Sequence, residues 1–188
     1  AKNPTYAELA QKVADLEKQV ADLQQLPDYP QIVRGSPIPT FVIDRNHIIT
    51  HCNKAFENLT GIAAHELIGT RKQWLAFYPA QRPVMADLIV DNASEEELTR
   101  YYGRNYWKSS VTEGGYEAEG FFPALGEKGR WIFFTAAPLK DEEGRITGAI
   151  ETLQDISERK WAEEALSESQ QRLRTLLDFA PYPIAVFT

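Results

Sequence analysis

Three β-prone runs in the second half of the chain, residues 116–122, 130–139 and 146–154, are separated by connections too short for anything but hairpins. Gly126-Glu127-Lys128-Gly129 joins the first two and Asp141-Glu142-Glu143-Gly144 the last two. Glycine in such a connection supplies the positive φ that a tight reversal needs. The runs must therefore pair as antiparallel neighbours. Upstream, Thr40-Phe41-Val42-Ile43-Asp44 and Ile48-Ile49-Thr50-His51-Cys52-Asn53 form a further hairpin around the turn residues Asp44-Arg45-Asn46. Between the two groups the period becomes helical. Ala55, Phe56 and Leu59 share one face of a short helix stopped at Gly61, and a second helix over residues 63–68 stops at Gly69. Pro79 or Pro83 opens a third, with Val84, Met85, Leu88 and Ile89 as its apolar stripe. Ser94 and Glu97 have the spacing of a capping box for a fourth. Two strands, several short helices and three strands predict an α+β domain: a five-stranded antiparallel sheet with short helices on one face.

Helices flank this domain on both sides. Tyr6, Leu9, Val13, Leu16, Val20 and Leu23 step alternately by three and four, which is a heptad seam. β-branched valine at one seam position with leucine at the other favours a parallel pair of chains, and Lys12 is placed to reach Glu17 of a partner. A single amphipathic helix packed on its own domain accounts for the same pattern. Pro27 and Pro30 are expected to end the helix. A second long helix is expected from Asp155-Ile156-Ser157 to about Asp178, its looser seam of Leu166, Leu173, Leu176 and Leu177 pairing with a second copy. The organisation read from the chain is a coiled-coil helix over 1–26, a domain over 27–155, a helix over 156–178 and the start of another domain over 179–188. That last segment rests on a repeat: Ser36-Pro37-Ile38-Pro39-Thr40-Phe41-Val42-Ile43 recurs as Ala180-Pro181-Tyr182-Pro183-Ile184-Ala185-Val186-Phe187. The expectation is a segment of a longer multidomain protein, cut inside a second copy of the domain.

Charge and motif content narrow the function. With 20 Lys and Arg against 27 Asp and Glu, the formal charge is -7, the wrong sign for nucleic acid or anionic lipid. Cys52 is the single cysteine, so a disulfide framework and a Cys-pair metal site are excluded. No run approaches the roughly 18 apolar residues of a membrane span, and no secretory signal opens the chain, so a cytoplasmic location is expected. Phosphate loops, zincin helices and nucleophile elbows are absent from the sequence, and no catalytic residue is expected. His47 and His51 with Asp44 do not converge on a metal site in strand-and-turn geometry, and Cys52 reads as a buried, inert thiol.

The residues between about 27 and 160 resemble a PAS domain, the sensory module of bacterial signalling proteins. The resemblance is carried by Gly35-Ser36-Pro37-Ile38-Pro39 before the first strand, by Asn53-Lys54-Ala55-Phe56 with Leu59-Thr60-Gly61, and by Glu66-Leu67-Ile68-Gly69. Its most specific part is Gly148-Ala149-Ile150-Glu151-Thr152-Leu153-Gln154-Asp155-Ile156-Ser157-Glu158-Arg159-Lys160, similar to the last strand of the family running into its output helix. The resemblance implies a cavity between sheet and helices, for which Phe41, Trp74, Tyr101, Trp107, Phe134, Glu151 and Leu153 are the candidate lining. For the aromatics as a set, core packing is the favoured reading, since aromatics dominate cores. If Ala149, Glu151 and Leu153 face inward, Glu151 becomes a buried carboxylate needing Arg82, Arg100, Arg104 or a polar or cationic ligand. Asp155, Ile156 and Ser157 form the expected relay junction, where an N-cap joins strand to helix.

The identity of any cofactor stays open. Cys52 precedes Asn53-Lys54-Ala55-Phe56, the wrong order for the family's flavin adduct motif. Residues 71–115 contain no histidine, which closes the family's usual route to haem. The resemblance thus implies a non-enzymatic sensor and dimerisation module, taking a small ligand or partner signal and passing it through paired helices to an output domain. A sensor histidine kinase is the implied parent, a diguanylate cyclase the next. The rival reading is a structural dimerisation domain that binds no ligand.

Overall fold

The computed structural model describes residues 5–6, 8–9, 11–15 and 29–178. The chain divides into two units, Ala1–Ile32 and Val33–Thr188. In the first, the described residues from Tyr6 to Asp15 are helical. Thr5 caps them: its N–H donates to the Glu8 carboxylate at 2.7 Å while its hydroxyl accepts the Glu8 N–H. Tyr6, Leu9 and Val13 of the seam are exposed, and Leu16, Val20 and Leu23 lie outside the described residues. The expected end of the first helix, before Pro27 and Pro30, falls within residues 16–28, which lie outside the described residues. Helix α1 runs over Tyr29–Gly35 with Pro30 in its first turn, where the missing N–H has no helical acceptor to lose.

Strands β1 (Thr40–Asp44) and β2 (Ile49–Cys52) form the expected first hairpin. Asp44 shapes its turn by accepting the N–H groups of Asn46 and Ile48 at 2.8 and 2.9 Å. Helices α2 (Lys54–Thr60) and α3 (Ala64–Leu67) follow, and Gly61 ends α2 in the left-handed region at φ 76°. After an irregular stretch come α4 (Met85–Val90) and α5 (Glu95–Tyr102), the latter opened by the Ser94–Glu97 capping box. Three long strands close the sheet, and α6 (Ser157–Asp178) leaves its last strand.

One element departs from the sequence reading. Tyr106–Lys108 forms an extra strand, β3, so the sheet has six strands rather than five. A three-residue edge strand is too short to show a period of two, and it exists through its pairing with β4 (Tyr116–Phe122). With β5 (Arg130–Lys140) and β6 (Ile146–Asp155), the antiparallel order is β2-β1-β6-β5-β4-β3. β6 therefore lies between β1 and β5 at the centre of the sheet.

The pleat sends Phe41 and Ile43 of β1, Ile132 and Phe134 of β5, and Ala149 and Leu153 of β6 into one buried cluster. Helix α4 covers them with Met85, Ala86, Leu88 and Ile89, all buried, and contacts β6, β5 and β1. Asn53 locks the sheet to the helices. Its side-chain oxygen accepts the N–H groups of Thr40 and Phe56, and its amide nitrogen donates to the carbonyls of Val33, Ser36 and Ile38. Among the described residues, no helix is long and apolar enough to cross a membrane.

Candidate functional site

Alternation on β6 settles which face carries Glu151. Ala149, Glu151 and Leu153 point inward, and Glu151 is 3 % exposed, opposite Phe41 of β1 and Ala136 of β5. A carboxyl group so placed needs a hydrogen-bond donor. The donor is the backbone N–H of Ala86 in the first turn of α4, 2.8 Å from Oε2. Burial pushes the Glu151 carboxyl up to about 8, the Ala86 N–H opposes the rise and the neighbouring Asp87 adds to it. The group is thus predominantly protonated at neutral pH.

None of the expected arginines pairs with it. Arg100 and Arg104 are exposed. Arg82 is half-buried, with its guanidinium 4.0 Å from the ring centre of Tyr78 and 5.0 and 5.2 Å from those of Tyr101 and Tyr102. It also donates to the Tyr101 carbonyl at 3.1 Å. The aromatic faces, rather than the carboxyl, hold this cation.

Glu151 faces a small cavity of about 10 Å³, room for about one water molecule. Phe77, Val84, Phe122, Phe134 and Leu153 make its apolar walls, and Tyr78 and Tyr102 join Glu151 as its polar lining. The Tyr78 and Tyr102 phenols are close enough to influence one another's ionisation. Burial raises both phenols above their ordinary value, Tyr102 the more strongly. Of the seven candidate lining residues, Phe134, Glu151 and Leu153 meet at this cavity. Phe41 lies in the adjoining core, edge-on to Phe56 at 5.4 Å. Tyr101 contributes a ring face and a carbonyl to Arg82.

Trp74 and Trp107 belong elsewhere. Trp74 lines a surface cleft with His47, Gln73 and Asp87. There Asp87 accepts from Gln73 at 2.6 Å and from Val84 N–H at 2.9 Å, and His47 Nδ1 lies 2.8 Å from it and Nε2 3.2 Å from Asp91. The His47 imidazole is therefore tied to α4, while its backbone N–H donates to the Asp44 carbonyl at 3.0 Å within the β1–β2 turn. Trp107 lies on the outer face of the sheet, its ring tilted 34° against Phe133 at 6.0 Å and donating to Glu117 at 2.8 Å. Its assignment to the cavity fails because an edge strand paired to β4 sets its side chain by the parity of Glu117 and Thr135. Sequence reasoning left Phe77, Tyr78, Val84, Tyr102 and Phe122 out of the lining. Aromatic density pointed to the region, but the irregular stretch before α4 has no period from which to assign a face.

At the end of β6, the junction residues are drawn together. Asp155 accepts the Ser157 N–H at 2.9 Å and the Arg130 guanidinium at 3.0 Å. Partial burial works against the charged form of Asp155, but these bonds outweigh it and hold the carboxyl below its usual value. Ser157 Oγ accepts the Trp131 N–H at 2.9 Å, and the Ile156 N–H donates to the Trp131 carbonyl at the same distance. Ile156 and Ser157 are buried. Lys160 adds a contact with the Trp131 ring, 5.1 Å from its centre, and an ion pair with Glu119. The first turn of α6 is thus bound to β4, β5 and β6, while Leu166, Leu173, Leu176 and Leu177 further along are exposed.

The same stretch of chain is what the known proteins match. The family model described as PAS domain matches residues 37–158. Among solved structures, the PAS domain of BvgS from Bordetella pertussis is 18% identical, with a TM-score of 0.46 over 76% of this chain and 94% of that one. An RNA-binding light-oxygen-voltage receptor is also 18% identical, with a TM-score of 0.49 over 93% of this chain and 42% of that one. A PAS domain from Colwellia psychrerythraea is 17% identical, with a TM-score of 0.41 over 76% of this chain and 98% of that one. With the family model spanning the whole sheet, its helices and the junction, the chain belongs to the PAS domain family.

Proposed function

We propose that this chain is a PAS sensor and dimerisation module whose inner cavity takes a small ligand and whose Asp155-Ile156-Ser157 junction passes the response to α6. The observation that carries the reading is the continuity of β6. The carboxyl facing the cavity, Glu151, and the cap of α6, Asp155, are on one strand with no loop between them. A ligand that displaces Glu151 or its neighbours shifts the strand to which the helix is fastened. The exposed leucines of α6 and the N-terminal seam are read as surfaces that pair with a second copy, giving a parallel dimer. Residues 1–26 and 156–178 are then the input and output helices around a domain over 27–155, and 179–188 open a further domain. A cytoplasmic sensor histidine kinase is the proposed parent and a diguanylate cyclase the alternative.

A second reading has its own observation. With room for about one water, the cavity is as small as a packing defect, which suits a structural dimerisation domain without a ligand. Native mass spectrometry of freshly purified protein separates the two. Dimers carrying a reproducible small-molecule mass support the sensor. Ligand-free dimers favour the structural domain, and monomers across the micromolar range overturn the dimer in both readings.

A further inference from the structure

The cavity brings a carboxyl group and two tyrosines together, and no basic side chain lines it. Among the described residues, no lysine or arginine pairs with Glu151. The next residue of α4 after its donor is Asp87, also acidic. Tyr78 and Tyr102, which also line the cavity, carry the negative side of their quadrupole on their ring faces. An anionic ligand finds no basic side chain in this lining, and ionisation of Glu151 would repel it. An apolar ligand offers Glu151 no hydrogen-bond partner beyond the Ala86 N–H. The tyrosines already show what they select, because Tyr78 and Tyr102, which line the cavity, are two of the three rings around Arg82. Arg82 sits on the irregular stretch before α4 and is held there by one carbonyl at 3.1 Å and by ring faces, not by a carboxylate.

Resting on the reading of this cavity as the sensor site, we infer that its ligand is a small organic cation, a primary ammonium or an amidinium, which takes over the faces of Tyr78 and Tyr102 from Arg82 and pairs with the carboxylate of Glu151. The exchange is balanced in charge and protons. The cation arrives with its own proton, the O–H bond of Glu151 breaks, and one proton leaves for the buffer. Because burial holds Glu151 up to about 8, nearly one proton is released per ligand bound at pH 7. The groups facing Glu151 are Asp87 and the Ala86 N–H from α4, Tyr102 from α5, and Tyr78 from the irregular stretch. Its neighbours on β1 and β5, Phe41 and Ala136, are uncharged. Asp87 is engaged by the Val84 N–H, Gln73 and His47, which leaves Glu151 to meet the ligand's charge. The cavity is small, so the ligand enters by moving Arg82 and the tyrosine rings.

Isothermal titration and NMR shifts with propylammonium chloride, 1-propanol and sodium propionate test this between pH 6 and 8.5. Propylammonium keeps its charge over that range. We expect it alone to shift the cavity aromatic resonances, with affinity rising about tenfold from pH 6 to 7 and levelling off above about 8. Titration in two buffers of different ionisation enthalpy should reveal the released proton. Glu151→Gln copies the neutral acid in shape; a melting transition like the parent's at pH 6 confirms its fold. It should lose the pH dependence and bind at least tenfold more weakly. Arg82→Gln should bind propylammonium more tightly. If propanol or propionate binds as well as propylammonium and Glu151→Gln changes nothing, the cation assignment fails while the cavity reading stands. If none of the three moves a cavity resonance, both fail.

Discussion

Glu151 and Asp155 lie four residues apart on β6, the first bonded to Ala86 N–H inside the domain and the second bonded to Ser157 N–H at the start of α6. Four strand residues span about 13 Å. Over that distance the chain has no hinge, since β6 is paired with β1 from Gly148 to Thr152 and with β5 from Ile146 to Asp155. Under the proposed relay, a change of charge at one end loads the other.

The ionisation of Glu151 is read as a pH dependence of stability. Glu151 titrates at about 8 in the folded chain against an ordinary 4.5, so its contribution is complete below about 4.5 and is withdrawn as pH rises toward 8. Glu151→Gln cannot ionise and escapes this loss. Urea unfolding at pH 5 and pH 9 should show the difference between the two proteins moving by roughly 2–4 kcal/mol in favour of the variant. Parallel stability curves for both would mean that the carboxyl is not insulated from solvent.

Asn53 should be among the least replaceable polar residues of the domain. It receives two backbone N–H groups and donates to three carbonyls, joining the segment before β1 to the N-terminus of α2. Asn53→Ala leaves buried backbone groups unpaired and is expected to cost about 2–4 kcal/mol in chemical denaturation. Asn53→Asp keeps the acceptor but turns a charged oxygen toward three carbonyls, so at pH 7 it should not recover the loss. Recovery by aspartate would show that the cap alone, and not the donor side, holds the join.

Much of this arrangement is legible in the sequence because it depends on period and punctuation. The hairpins around Asp44, Gly126 to Gly129 and Asp141 to Gly144, the Ser94 cap and the strand-to-helix switch at Asp155 all appear where turn chemistry puts them. The inward face of β6 follows from parity once a single strand residue is known to be buried. What stayed hidden depends on tertiary placement. β3 is defined by its partner, not by its three residues, and it carried Trp107 to the outer face. Tyr78 and Arg82 sit in a stretch without regular structure, where no spacing links a residue to a face. The choice of a backbone N–H over an arginine as donor to Glu151 required the position of α4 above β6.

The Cys52 thiol should be unreactive in the folded protein. Burial pushes it up to about 12, and the negative charge of Glu57 adds to the rise. At pH 8 the thiolate is then scarce, and its sulfur is covered as well. Ellman's reagent should label the native chain at least a hundredfold more slowly than the urea-unfolded chain. Equal rates would show that β2 opens readily at the sheet edge, against its pairing with β1.

The junction offers two bonds of unequal worth, and their ranking tests how α6 is fastened. Arg130 and Asp155 are each 36 % exposed in side chain, so solvent screens their pair and Arg130→Gln should cost less than about 1 kcal/mol. Ser157 is 4 % exposed, and its hydroxyl is the acceptor for the Trp131 N–H. Ser157→Ala leaves that N–H without its partner and should cost about 1–3 kcal/mol. The local signature is sharper than the global one: amide exchange at Trp131 should accelerate in Ser157→Ala and stay nearly unchanged in Arg130→Gln. If the arginine variant instead frees the amide, the helix is held by the surface ion pair, and high salt should loosen it in the parent protein too.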